Sequence, residues 1–417
     1  MHAGATSLVR TRADCRLCGS RDLTDVLSFG DTPLANAYLG AADLDKPEVF
    51  APLVIRFCNA CALVQLRDVV DPGVLFGHYL YVSGTSRTFV AHFAEYARTV
   101  WDRFSLSNDS FVVDAGSNDG VLLREFKARG ARILGVDPAA NIASAATRAG
   151  TPTLVRFFDR ETAQAIAGEH GRADVITANN VFAHTDDVAE FALAVKALLA
   201  PHGVFVFEVQ YLRDLIDRNL FDIIYHEHLC YYHVSPLVPF FDRLGLRVFD
   251  VERVDTHGGS IRVYVGWKDG PYGRESRVDE IVADERSLND RTTYGAFAAR
   301  IDDNRARLLG MLHDVKAGGK RVVGYGAPAK ATTLCYAFGV DGTLLDYIVD
   351  DDARIKQGLC MPGTHIPIGP PQLLYDDPPD YCLILAWNFA EPIMASHRRF
   401  TSAGGKFIIP IPEPRII

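Results

Sequence analysis

Two stretches of this chain are built alike. Residues 110–130, "SFVVDAGSNDGVLLREFKARG", and residues 320–338, "KRVVGYGAPAKATTLCYAF", each run from a short apolar strand through a glycine-bearing turn into a helix. Unbroken apolar runs suit strands covered on both faces, and parallel strands of that kind need helical crossovers. An α/β chain with parallel sheets follows. Two such beginnings within 417 residues call for two Rossmann-like units, because one hydrophobic core stops growing well before that length.

The two turns ask for different ligands. The first, D-A-G-S-N-D-G from Asp114 to Gly120, is not G-x-G-x-x-G. An acid ends its strand, and Asn118 and Asp119 would repel a pyrophosphate more than cradle it, which favours a ribose with a cationic or zwitterionic tail. Gly116 and Gly120 let the backbone approach a ligand. The next strand, "ARILGVDPAANI", ends in Asp137, an acid spaced to grip a ribose diol. "ADVITANNVFAHTDD" reads as the fourth strand and its loop, with Asn179, Asn180 and His184 at a switch point, although the two asparagines equally suit a satisfied turn. "GVFVFEVQYL" supplies another buried strand with Glu208 near its end.

The second turn does fit G-x-G-x-x-A through Gly324, Gly326 and Ala329, with Asp346 or Asp350 beyond and Lys330 beside the helix N-terminus. A nucleotide site and tight packing alone both account for it. Later segments continue as strands that complete a parallel sheet, and residues 275–315 read as a long charged helical connector whose charges form a solvated face.

Four of the eight cysteines fall in two C-x-x-C pairs, Cys15/Cys18 and Cys58/Cys61. Two such turns complete a closed tetrahedral four-thiolate zinc site; a redox pair would need only one. Its expected role is to fold a small lobe. The loop between the pairs, 19–57, reads as an insertion. The net charge of −9 argues against a general nucleic-acid or acidic-membrane binder. No run approaches a membrane span and the first residues lack a signal peptide's apolar centre, so the expected location is cytoplasmic, with no membrane partner.

The densest chemistry is "YHEHLCYYH", residues 225–233. Histidine titrating near neutrality suits a general base. The aromatic end of the stretch suits packing, and His226 with His228 could share one side of a strand as a metal pair. "THGGSIR" places Ser260 and Arg262 on a turn into a strand, where close approach to a ligand competes with a plain hairpin.

Together the cysteine pairs, the D-A-G-S-N-D-G turn, "YHEHLCYY", "THGGSIRVYV" and "GYGAPAKA" resemble the zinc-containing, S-adenosylmethionine (SAM) dependent nucleotide-sugar C-methyltransferases, from about residue 12 onward. The resemblance implies a zinc-binding lobe over 1–75, a Rossmann-like SAM domain over 76–272, and a Rossmann-like domain over 273–417 that follows the connector and holds a nucleotide sugar. It implies methyl transfer from SAM to C-3 of a thymidine-diphosphate-linked 4-keto-deoxysugar in natural-product pathways. Asp114, Gly116 and Asn118 would line the methionine end of SAM, Asp137 the ribose and Asp159 the adenine, with Gly120, Asn179 and Asn180 beside them. His228 would be the general base, Tyr225 and Glu227 its helpers, with Tyr79 and His184 in the same pocket. Lys330, Gly326, Tyr325, Arg262 and Ser260 would meet the sugar nucleotide. A monomer or weak homodimer is expected. Two other activities stay open: an O- or N-methyltransferase of the same fold, and an NAD-dependent oxidoreductase using the second glycine turn.

Overall fold

A computed structural model describes residues 8–76, 84, 87–353 and 355–417. The central sheet has seven strands in the spatial order Leu246–Val254, Ser260–Trp267, Leu199–Gln210, Ala173–Asn179, Phe111–Ala115, Arg132–Val136, Thr153–Leu154. The last five are mutually parallel, and the 246–267 hairpin adds antiparallel strands to the edge. Every residue of Phe111–Ala115 is buried, Asp114 included, as a central strand covered on both faces requires. The order reverses between Phe111–Ala115 and Ala173–Asn179, the switch point at which open α/β sheets place ligands at the carboxyl ends of their strands.

The second glycine turn opens a six-stranded sheet, ordered Ile368–Gly369, Ile348–Val349, Val322–Tyr325, Tyr381–Ile384, Lys406–Ile409, Arg415–Ile416. It is parallel except at one edge, where the last strand turns back antiparallel, so the expectation of a wholly parallel sheet needs that correction. The connector is also not one solvated helix. It breaks into Ser276–Asp284, a 3-10 turn at Glu285–Asn289 and a helix at Thr292–Ala317. Tyr294, Phe297, Ile301, Leu308 and Leu312 recur on one face of that helix and enter a core shared with Leu53 and Ile55 near the N-terminus and Leu334 and Phe338 near the C-terminus.

The cysteine-bearing segment forms an antiparallel sheet with an unexpected member. Leu23–Pro33, Phe50–Cys58 and Val64–Leu66 pair in turn, and the open edge of Val64–Leu66 is closed by Cys230–Tyr231, from the middle of "YHEHLCYYH". Leu66 N–H also donates to Leu229 O at 2.9 Å. Among the described residues no helix is long and apolar enough to cross a membrane.

Candidate active site

At the switch point, the strand end at Asp114 is buried and its Oδ1 accepts from Thr177 Oγ1 at 2.6 Å. Burial, helped by nearby Asp137, pushes this carboxyl up to about 7. Asp137 braces the turn itself, its two oxygens accepting from Asn118 N–H and Ala139 N–H, each at 2.9 Å. Gly116 has φ +72°, and a Cβ there would lie 2.2 Å from Val181 Cγ2, so the turn admits no side chain. Gly120 caps the following helix. Asn179 ends its strand, and the backbone N–H of Asn180 donates to Glu208 O at 2.8 Å.

Ser117 Oγ and Asn179 Oδ1 are buried without a hydrogen-bond partner among the described residues. The switch point thus carries buried polar atoms that the described residues do not pair, beside two acids spaced for a ribose and a cationic tail, and this donor set fits SAM.

The segment 225–228 is a turn, not a strand: His228 N–H donates to Tyr225 O at 2.9 Å. The two histidines therefore diverge. His226 lies 3.1 Å from Ala51 O through Nε2, inside the N-terminal sheet's packing, which removes the shared-metal reading of the pair. His228 points the other way and hydrogen-bonds Ile223 O through Nδ1 at 2.6 Å. A carbonyl only accepts, so Nδ1 carries the proton and Nε2 the lone pair. The ring is 3% exposed, and burial, opposed by that hydrogen bond, pushes His228 down to about 4. Phe76, His184, His228 and Tyr225 form a column of rings with successive centroid distances of 5.6, 5.1 and 4.1 Å. Glu227 is buried, with Oε1 accepting from Asn36 Nδ2 at 2.6 Å. Tyr79 lies outside the described residues.

Several expected contacts are employed elsewhere. Asp159 caps helix Arg160–His170, its Oδ1 accepting from Thr162 N–H at 2.8 Å. Arg262 is buried against Glu208 (Nη2 to Oε1, 2.6 Å) and lies 4.0 Å above the Tyr96 ring. Ser260 Oγ donates to Thr256 O at 3.1 Å and is wholly buried. Tyr325 donates to Asp351 Oδ2 at 3.0 Å and sits 2.8 Å from His397 Nε2, a local network of its own domain. Gly326, at φ +84°, is needed for packing, since a Cβ would meet Ala386 Cβ at 2.6 Å.

Lys330 spans the switch point of the second sheet. Its ammonium donates to Asn388 Oδ1 at 2.6 Å and stands 3.6 Å from the Trp387 ring centroid, while Trp387 Nε1 donates to buried Asp222 Oδ2 at 2.5 Å. Burial lowers Lys330 to about 8 against the attraction of Asp222. Sequence reasoning missed Asn36, Tyr38, Asp222 and Trp387. Each comes from a segment distant in sequence, and the only hint was the Pro- and Asn-punctuated "TPLANAYLG" within the inserted loop.

The cysteines meet the requirements of zinc. All four are unpaired by disulfides and their sulfurs lie within 4.8 Å of one another, with Cys15–Cys61 and Cys18–Cys58 at 3.5 Å. A tetrahedral site with Zn–S of about 2.3 Å needs sulfurs about 3.8 Å apart. Among the described residues this is the one cluster of three or more metal-ligand side chains. Arg16, between the first two cysteines, reaches Asp186 Oδ1 at 3.0 Å, and Arg10 and Arg12 bind the same carboxylate, two residues past His184. The cysteine knuckle thereby touches both loops of the candidate site.

Three family models match in order: a zinc binding domain over residues 15–76, a methyltransferase domain over 89–251 and a C-methyltransferase C-terminal domain over 255–412. C-methyltransferase NovU of Streptomyces niveus is 40% identical over 412 residues, 98% of each chain. A ubiquinone biosynthesis O-methyltransferase of Rhodopseudomonas palustris (strain BisA53) is 33% identical over 96 residues, 23% of this chain and 38% of that one. Among solved structures, magnesium protoporphyrin IX methyltransferase from Synechocystis PCC 6803 with bound SAM aligns with a TM-score of 0.31 at 14% identity, covering 43% of this chain and 80% of that one.

Proposed function

Since the chain belongs to the C-methyltransferase family that includes NovU, and is a SAM-dependent C-methyltransferase with a zinc-binding N-terminal segment, we propose that it methylates the carbon beside the ketone of a thymidine-diphosphate-linked 4-keto-deoxysugar, with C-3 the expected position. The observation that carries this reading is His228, a buried imidazole whose Nδ1 is committed to Ile223 O and whose Nε2 bears the lone pair. A carbon flanked by a carbonyl is the kind of substrate that needs one positioned base and no metal redox chemistry.

When bound, SAM supplies an electrophilic methyl on a sulfonium centre. Asp114, Asp137, Asn118 and Asn179, with the turn glycines Gly116 and Gly120 and neighbouring Asn180, would hold it. His228 Nε2 takes the proton from the acidic carbon. A base held near 4 is weak, so the enolate oxygen must be stabilised by donors, and Tyr225 in ring contact with His228 is the side chain assigned that task. His184 stacks on the His228 ring and helps exclude water. Glu227 accepts from a hydroxyl or ammonium of the sugar, and Lys330 serves its anionic diphosphate from the second sheet.

The direct test is incubation with SAM and thymidine-diphospho-4-keto-6-deoxyglucose, read by mass spectrometry. A gain of about 14 Da, the mass of CH₂, is expected, with proton NMR locating it at C-3 or at C-5, the other carbon acidified by the ketone. No gain with any 4-keto-deoxysugar nucleotide would sink the reading.

A second expectation concerns Asp114. Raised to about 7, the buried carboxyl is largely protonated at pH 6, and a cationic ligand alongside favours its ionised form. SAM binding at pH 6 should therefore release up to about one proton, falling toward zero by about pH 8.5. Calorimetry in buffers of different ionisation enthalpy measures this, and Asp114→Asn should abolish it.

A further inference from the structure

The inserted loop between the cysteine pairs does more than join two strands. Over residues 34–39 it crosses to the C-terminal sheet and is fastened at three points. Ala35 O accepts from Thr332 Oγ1 at 2.9 Å, Tyr38 donates to Ala327 O at 2.6 Å, and Leu39 exchanges backbone hydrogen bonds with Cys360 at 3.0 and 2.8 Å. Between the first two fasteners stands Asn36, whose amide donates to Glu227 Oε1 at 2.6 Å across 191 residues of sequence. A backbone held on either side leaves that amide little freedom. The hydrogen bond is therefore a fixed one, made by the zinc-binding segment to a buried carboxylate of the catalytic turn.

A carboxamide N–H can only donate, and the oxygen that receives it must accept. Asn36 thus orients the Glu227 carboxyl with Oε1 committed as an acceptor. We infer that Asn36 is a specificity-determining positioning residue, which holds Glu227 oriented so that the enzyme selects sugars presenting a hydroxyl or ammonium donor to it. This rests on the reading of Glu227 as a sugar-facing group. Tyr38 lies within electrostatic reach of Glu227, Asp350 and Asp352, and its hydroxyl is committed to Ala327 O, as His226 is to Ala51 O and His228 to Ile223 O. Asn36 supplies Glu227 with a neutral donor that keeps its proton at every pH.

The test uses the full-length, zinc-loaded protein with SAM and thymidine-diphospho-4-keto-6-deoxyglucose, comparing Asn36→Ala, Asn36→Asp and Glu227→Gln. Asn36→Ala should lower kcat/KM for the sugar roughly 10- to 100-fold, the worth of one hydrogen bond to a charged group, with SAM affinity unchanged. Asn36→Asp carries the sharper signature. Two carboxylates in contact share one proton, so this variant should keep most activity near pH 6 and lose it as pH rises and the pair ionises, over a range where the unsubstituted enzyme stays level. A residue that merely supported the loop would not move the pH profile. If both Asn36 variants keep the original sugar KM and pH profile while Glu227→Gln fails, the inference is overturned. If Glu227→Gln itself is unchanged, the reading of Glu227 is what falls, and the inference with it. Should the alanine variant not fold, Asn36→Ser, which retains a donor on a shorter arm, makes the same comparison with the aspartate.

Discussion

Replacing His228 with alanine should cut turnover by about 10² to 10⁴ while leaving SAM affinity where it was, because a base contributes in the transition state and not to cofactor binding. His228→Asn is the companion variant, since its amide can still donate to Ile223 O without offering a base. The pH dependence adds a second signature. Burial holds His228 down at about 4, so the imidazole is neutral throughout the neutral range. The acid limb of kcat/KM should therefore fall as pH drops toward about 4, well below the 6.5 of an ordinary histidine. Stability follows the same sign. The unfolded chain takes the proton near 6.5 and the folded chain resists it until about 4, so the contribution of neutral His228 is complete above 6.5 and is lost across that window. A variant in which SAM affinity falls together with turnover would mark His228 as a structural prop.

Zinc removal should be more drastic. Structural zinc sites hold about 10–16 kcal/mol of apparent binding free energy, comparable to or above the whole stability of a domain at about 5–15 kcal/mol. Stripping the metal with a chelator, or substituting Cys58→Ser, should therefore unfold the N-terminal sheet. Turnover should go with it, for two stated reasons: Cys230–Tyr231 is a strand of that sheet, and Arg16 of the knuckle grips Asp186 beside His184. SAM binding, made by the seven-stranded sheet, should weaken much less. Metal content, near-UV circular dichroism and activity followed together decide this. Full turnover in metal-free protein would show the knuckle to be dispensable to the site.

What the sequence disclosed about this molecule depended on distance along the chain. Cys15 and Cys18, or Asp114 and Gly116, are neighbours whose spacing alone states a geometry, and the family resemblance extended that reading across the three segments. Asn36 against Glu227 and Trp387 against Asp222 are tertiary meetings, and no periodicity announces them. His226 and His228 show a different limit. Their spacing suggested a shared face only on the assumption of a strand, whereas a turn at 225–228 sends one ring toward Ala51 and the other toward Ile223. Arg262 and Asp159 show a third limit: a polar residue at a strand or helix terminus has structural employment available, here ion pairing with Glu208 and helix capping, that spacing alone does not disclose.

The strand Cys230–Tyr231 also has a consequence for synthesis. The ribosome delivers Val64–Leu66 about 160 residues before the partner that covers its edge, a delay of roughly 8–30 s at ordinary elongation rates of about 5–20 residues per second. Throughout that interval the nascent segment carries an open row of backbone donors and acceptors, the kind of edge that recruits strands from other chains. Metal captured by the first 61 residues would fix the sheet early without closing that edge, so the nascent chain stays dependent on shielding until Cys230–Tyr231 arrives to seal it.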